Sequence, residues 1–382
     1  MSNSSLPTIN RWLCEPLPKD VAQSIERLSA ASDIRHIAVM PDVHLSGDVC
    51  VGVAVATRRL IYPAAVGGDI GCGMAAIAVD ATSDLLADAH RAGALLASLA
   101  QNVPAMRHRR ETMPAELPAS LASGRLSDCR LAKLADRDGR VQLGTLGRGN
   151  HFLEFQCDDE DRIWIMLHSG SRAMGQAITA HHVAIAERLS QRRKLPFLDT
   201  ESAEGTAYLS DVGWAIAYAE QNRLAMLRAT EQLLSQLFGV ALSWESLIHS
   251  NHNHVRRENH FGEELWVHRK GALPAADGVA GVIPGSMGSP SFHVTGRGCA
   301  GALASSSHGA GRAMSRADAC RAISVRQLER EMRGVWFDAR QVRHLCDEAP
   351  SAYKDVLSVM RAQRDLTRIE RQLTPLLSYK GA

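Results

Sequence analysis

Asp69 and Cys72 stand three residues apart in PAAVGGDIGCGM (63–74), a run containing four glycines. Glycine enters the φ > 0 regions freely, so such a run can bend sharply enough to aim a carboxylate and a thiol at one small target. A metal ion is the first chemistry this suggests. Two donors fall short of the three or four a metal site needs, and a buried cysteine in a tight turn is the competing reading, so further donors have to come from elsewhere. Candidates recur along the chain. PDVH (41–44) supplies Asp42 and His44, each able to bind a metal or move a proton. LGTLGRGNHFLEF (143–155) leads through three glycines to Asn150, His151 and Glu154, and IMLHSGSR places His168 at the end of an apolar run. HSNHNHVRRENHFGEELWVH (249–268) holds five histidines, 249, 252, 254, 260 and 268, and spacing alone does not say which of them binds anything. IPGSMGSPSF (283–292) reads as a rigid turn with exposed amides and hydroxyls. In SSSHGAGR (305–312), successive backbone N–H groups around His308 can form an anion-binding concavity, to which Arg312 adds a phosphate-binding fork.

These groups must be carried by a scaffold, and the apolar spacing indicates one of mixed α and β type. Residues 17–31 have helical periodicity with Val21, Ile25 and Leu28 on one face. HIAVM (36–40) reads as a strand that breaks at Pro41, 49–63 as strand-rich, and IWIML (163–167) as a buried strand. Helices are expected over 83–100, capped by Thr82, Ser83 or Asp84, and near 173–192, 210–238, 324–347 and 351–372. Asp42, His44, Asp69, Cys72 and His168 thereby fall at the ends of apolar runs, where a rigid sheet aims loop residues at one place. Residues 104–140 are polar, Arg-rich and weakly patterned, and read as a mobile excursion. By position alone, Lys380 reads as a solvated chain end.

Composition sets the outer limits. The chain has 382 residues, 45% hydrophobic and 22% charged, enough for a substantial core. The N-terminal residues lack the basic and apolar regions of a signal peptide, and no apolar run approaches the ~20 residues of a membrane span, so the expectation is a cytoplasmic protein. Eight cysteines contain no CxxC pair, which argues against a zinc ribbon or a disulfide framework. The formal charge of +2 is built from 6 lysines and 37 arginines; it neither demands nor excludes a nucleic-acid partner.

Taken together, AVMPDVH, PAAVGGDIGCGM, LGTLGRGNHFLE, IMLHSGSR, HNHVRRENHFGEE, RKGA, IPGSMG, SHGAGRAMSR, EAPSAYKD and the final KG resemble the RtcB-type RNA ligases, in the same order and from residue 38 to 381. The resemblance implies one large α+β ligase domain over 1–382, with central twisted β-sheets, flanking helices and a metal and nucleotide site built from strand-end loops. It implies two manganese ions held by Asp69, Cys72, His151, His168 and His252, with Cys72 bridging them. His308 becomes the acceptor of guanylate from GTP. Guanosine-nucleotide contacts fall on Asn150, Phe152, Glu154, Asn253, Pro284, Gly285, Ser286, Met287, Ser291, Gly309, Ala310, Gly311 and Lys380. The implied activity is GTP- and Mn-dependent joining of RNA 3′-phosphate or 2′,3′-cyclic phosphate ends to 5′-hydroxyl ends through a covalent histidine–GMP intermediate, in RNA repair or tRNA splicing. Asp48, Arg148 and the small, apolar stretch 297–304 (RGCAGALA) depart from the usual family pattern without removing a ligand.

One carboxylate, one thiolate and three neutral imidazoles bring −2 to two divalent cations, leaving a net +2 to meet phosphate oxygens. Mixed O, N and S donors do not single out manganese, which rests on the resemblance. A dinuclear phosphatase or phosphodiesterase would use the same donors with water and no covalent nucleotide.

Overall fold

The computed structural model describes residues 6–190 and 195–381. Its frame is two large sheets. Seven strands in the order Ala280–Ile283, Ser291–Gly296, Thr367–Lys380, Phe152–Cys157, Arg162–Ser169, Gly73–Thr82 and Leu242–Asn251 pair antiparallel throughout. The second sheet has the order Thr8–Arg11, Ile34–His44, Val51–Thr57, Glu263–Lys270 and Asn253–His260, with only the first pair parallel. The chain passes from an edge of one sheet to an edge of the other between Asn251 and Asn253. His252 sits at that corner.

Both faces of the seven-stranded sheet are covered, as the alternation of its apolar residues requires. Ile163, Ile165 and Leu167 join Ala75, Ile77 and Val79 in a core shared with Leu95 and Leu99 of helix Ala89–Asn102 and Met226, Leu227 and Leu234 of helix Ala203–Phe238. Trp164 and Met166, on the opposite face, meet Met74, Ala76 and Leu373. His168 continues that second face, opposite Met74 on one neighbouring strand and Phe152 on the other.

Helix Ala203–Phe238 is bounded by Ser202, whose hydroxyl accepts from the Gly205 amide, and by left-handed Gly239; it starts seven residues before the position expected from periodicity. Helix Arg172–Leu189 matches expectation, and residues 191 and 192 lie outside the described residues. The helix expected over 83–100 begins instead at Ala89 with Asp88 as its cap, after a 3-10 turn at Ser83–Leu86. The strand carrying Asp42 runs through Pro41 as Ile34–His44, with a register irregularity between Val39 and His44 absorbing the proline.

The C-terminal third differs most from expectation. Only Val325–Glu331 of 324–347 is α-helical before Gly334 and a series of 3-10 turns, and only Val356–Ala362 of 351–372. Thr367–Lys380 is an interior strand of the seven-stranded sheet. Its Arg and Glu residues are good helix formers, but Pro375 cannot sit inside a helix and marks a bulge here. Lys380 is consequently buried, where position in the chain had indicated a solvated end. Residues 104–140 carry short helices, of which Leu121, Leu131 and Ala135 are buried with Trp214 and Tyr218 of the long helix. No helix among the described residues is long and apolar enough to cross a membrane.

Candidate functional site

Loops at the strand ends converge on a cleft of about 740 Å³. On one wall Cys72 Sγ lies 3.2 Å from His168 Nε2 and 3.6 Å from His151 Nε2. His151 Nε2 is 3.1 Å from Asp69 Oδ2, and His168 Nε2 is 3.3 Å from His252 Nε2. Five donors drawn from four separate segments thus form one continuous cluster. The Nδ1 atoms of His151 and His168 donate to the backbone carbonyls of Leu146 and Asn150, both at 3.0 Å. That fixes the tautomer and turns both Nε2 lone pairs inward, the arrangement metal-binding histidines show. His252 keeps a buried Nδ1 with no protein partner. Inward lone pairs, a carboxylate and a thiol crowded together fit one or more divalent cations.

The electrostatics agree. Burial pushes the Cys72 thiol far up, and the Asp69 charge pushes it further, so thiolate character there calls for a cation. Burial also raises Asp69, but His151 and Arg172 outweigh it and hold the carboxyl below its usual range. Burial lowers His168 and His252, keeping both imidazoles neutral and able to ligate. Gly170 has a steric role: a Cβ there would lie 2.2 Å from Asp69 Oδ1.

Sequence reading missed what supports this cluster. Asn222 and Arg223, adjacent in helix Ala203–Phe238 and fully buried, point at the site loops. Asn222 Oδ1 accepts from Gly144 N at 2.7 Å, and its Nδ2 donates to Ser169 Oγ and the Gly170 carbonyl. Arg223 Nη1 donates to the carbonyls of Gly71 and Ser169 at 2.9 and 2.8 Å. Two consecutive polar residues inside a largely apolar helical stripe were the available signal.

The five histidines of 249–268 separate cleanly. His249 accepts from Arg223 Nε, His254 from Arg269 Nη1, and His268 from Tyr62 N, while His260 pairs with Glu258. Of the five, His252 is the one lining the cleft.

His308 lies on the opposite wall, its ring 4.7 Å from that of His252. Its Nδ1 is 2.7 Å from Asp42 Oδ2, and its backbone N donates to the same oxygen at 3.1 Å. Asp42 is fully buried and lies 266 residues away in sequence. Gly311, at φ 75°, allows the approach, since a Cβ there would lie 2.3 Å from the Asp42 carbonyl oxygen. His44 donates from Nδ1 to that same carbonyl at 2.9 Å and also lines the cleft.

The far end of the cleft is a polar slot. Phe152, Glu154, Ser291 and Lys380 line it, with the Pro284–Met287 turn and the His308–Gly311 loop tied together by Ala310 N donating to the Pro284 carbonyl at 3.0 Å. Lys380 Nζ sits 5.9 Å from the Phe152 ring centre and pairs with Glu348. Glu348 also receives Tyr353 Oη at 2.7 Å and the guanidinium groups of Arg312 and Arg316, a hub that motif reading did not identify. Burial pushes Glu154 up to about 8 although Gln156 and Lys380 pull it down. Asn253 lies between slot and cluster, donating to the Asp69 carbonyl at 3.1 Å and accepting from Gly271 N at 2.7 Å. Each metal donor, guanylate acceptor and nucleotide contact implied by the resemblance lines the cleft except His151, which stands behind Asp69 and Cys72, and Asp42 stands behind His308. Arg148 is exposed and lines no part of it.

A family model described as tRNA-splicing ligase RtcB matches residues 24–381. The chain is 37% identical over 391 residues to the RNA-splicing ligase RtcB of Escherichia coli, spanning 96% of this chain and 95% of that one. It is 30% identical to the RNA-splicing ligase RtcB of Mycobacterium tuberculosis, over 91% of this chain and 97% of the relative. To the tRNA-splicing ligase RtcB of Thermococcus kodakarensis it is 29% identical, over 91% and 88%. The family match takes in the donor cluster, His308 and the polar slot, and the chain belongs to the RtcB family.

Proposed function

We propose that the protein is a cytoplasmic, GTP- and manganese-dependent RNA ligase, working as one domain in RNA repair or tRNA splicing. It joins 3′-phosphate or 2′,3′-cyclic phosphate ends to 5′-hydroxyl ends. The observation that carries this reading is the His308–Asp42 pair facing the five-donor cluster across one cleft. Asp42 accepts the Nδ1 proton, which leaves a lone pair on Nε2 and holds the ring in one orientation.

Asp69, Cys72, His151, His168 and His252 would hold two manganese ions, which supply charge to neutralise phosphate oxygens and polarise the phosphorus under attack. His308 Nε2 attacks the α-phosphorus of GTP; the P–N bond forms, the α–β bridging P–O bond breaks, and pyrophosphate leaves. The ring then carries positive charge, which the Asp42 carboxylate stabilises while Nδ1 keeps its proton. An oxygen of the RNA 3′-phosphate attacks the same phosphorus, and the P–N electron pair returns to Nε2. A 5′-hydroxyl then attacks the activated 3′-phosphorus, loses its proton to solvent, and GMP departs. A 2′,3′-cyclic end enters after water has opened it to the 3′-phosphate.

Phe152 supplies a ring face for the guanine base and Glu154 an acceptor for its N–H groups. The amides of Gly309 and Gly311 face the phosphates, while that of Ala310 ties their loop to the Pro284 carbonyl. Asn150, Asn253, Ser291 and Lys380, with the Pro284, Gly285, Ser286 and Met287 turn, complete the nucleotide site. Incubation with α-labelled GTP and manganese tests the proposal: the wild type forms an acid-labile adduct and joins cyclic-phosphate RNA to 5′-hydroxyl RNA, and His308→Ala does neither. Phosphate release, or opening of the cyclic phosphate, with no adduct and no joining would identify a phosphatase or phosphodiesterase instead.

A further inference from the structure

Arg223 and Arg269 are among the largest fully buried side chains. Arg223 supports the donor cluster, whereas Arg269 has no part in the chemistry above. Arg269 is 1% exposed at the end of strand Glu263–Lys270, and each edge of its guanidinium is used. Nε donates to Ser305 Oγ at 2.9 Å, Nη2 to the Leu303 carbonyl at 2.9 Å and to the Ala304 carbonyl at 3.5 Å. Nη1 donates to His254 Nε2 at 3.3 Å, and Glu258 accepts from both Nη1 and Nη2.

The residues it grips are unusual. Leu303 and Ala304 are consecutive, lack the freedom of glycine, and are both left-handed, at φ 51° and 45°. Such a pair persists only where surrounding structure imposes it. Strand Ser305–Ser307 follows at once and ends at His308; it pairs in fixed register with Ala272–Pro274, which begins three residues after Arg269. One guanidinium therefore clamps the strained turn to the strand beside which the histidine is launched. A lysine, as a single point charge, cannot reach a hydroxyl, a carbonyl and a carboxylate at once.

We propose that Arg269 is a positioning residue for guanylyl transfer: its fork holds the Leu303–Ala304 turn and so sets the register that presents the His308 imidazole to Asp42. The inference rests on the reading of His308 as guanylate acceptor. The competing role is an ordinary buried ion pair that stabilises the fold alone. Single-turnover adduct formation with labelled GTP separates the two in Arg269→Lys, in the double variant Arg269→Met/Glu258→Gln, and in Arg371→Met. The double variant leaves no unpaired buried charge and so keeps its fold. Arg371→Met breaks a 2.9 Å pair with buried Asp158 in the other part of the strand that ends at Lys380.

Both Arg269 variants should lose roughly tenfold or more in the rate of adduct formation at saturating GTP, with KM for GTP within about threefold, while circular dichroism shows them folded. Arg371→Met should melt lower yet keep the wild-type rate. Folded Arg269 variants reacting at the wild-type rate, or losing rate only in proportion to melting temperature as Arg371→Met does, would overturn the inference. An adduct absent from the wild type would sink both this inference and the proposed function; a wild-type adduct with unaffected Arg269 variants sinks this inference alone.

Discussion

Replacing Asp42 by Asn removes the charge against which the His308 ring is set. Asp42 Oδ2 takes two hydrogen bonds from His308, from Nδ1 at 2.7 Å and from the backbone N at 3.1 Å, and the carboxylate is fully buried. A hydrogen bond to a charged group is worth about 1.5–3 kcal/mol. The amide keeps one acceptor oxygen, so the loss is one charge-assisted bond together with the stabilisation of the positively charged ring, about 2–4 kcal/mol, or roughly 30- to 1,000-fold in rate. If the amide instead offers its NH2 to Nδ1, the ring proton moves to Nε2 and blocks the attacking lone pair, which places the loss at the upper end. Labelled-GTP adduct formation measures this directly. Joining of RNA whose 3′ end already carries the guanylyl group bypasses His308 and should stay within about threefold of wild type. The reasoning is refuted if Asp42→Asn forms adduct within about threefold of the wild-type rate, or if both assays fall equally.

Cys72→Ala removes the donor that contacts both His151 and His168; elemental analysis should find the manganese content lost along with adduct formation, and two retained ions would show that the centre lies elsewhere. Glu348→Gln leaves Lys380, Arg312 and Arg316 without their shared carboxylate, so urea unfolding should register a loss of about 3–5 kcal/mol, the usual cost of an uncompensated buried charge, together with a raised KM for GTP. Glu154 titrates at about 8 in the folded chain against an ordinary value of 4.5. Between those values the folded chain holds a proton that the unfolded chain has released, so stability falls as pH rises through that window. In the absence of nucleotide, Glu154→Gln should therefore melt above the wild type at about pH 8, with the gap closing towards about pH 5; a gap independent of pH would contradict the assignment.

Much of the site was legible in the sequence because its loops are short, glycine-punctuated and chemically distinctive. The donors at 69, 72, 151 and 168, the HGAG loop around His308 and the IPGSMG turn could all be named from local residue types and their order. The helix Lys19–Ser29 was legible because it buries one face at helical period, and the strands Arg162–Ser169 and Val51–Thr57 because, buried on both faces, they read as short continuous apolar runs. The family resemblance selected His252 from five candidates; local spacing did not, because four lie on strands, His252 lies at the corner between two of them, and nothing in the sequence says which one leaves the sheet.

Other features were decided only by tertiary structure. Thr367–Lys380 carries helix-favouring charges, and its place between two strands of the large sheet overrides that preference, turning an apparent chain end into a buried lysine in the cleft. Asp42 is an acidic residue beside a proline until the HGAG loop closes onto it from 266 positions away. Asn222 and Arg223 lie in no quoted motif, and RKGA and EAPSAYKD hold Arg269 and Glu348 without showing what they do, because the role of all four is to satisfy backbone and side-chain groups that become neighbours only on folding. Donor identity is a property of residue type and can be read along the chain. The orientation of those donors depends on buried hydrogen bonds between distant segments, which exist only once both sheets and the long helix have packed.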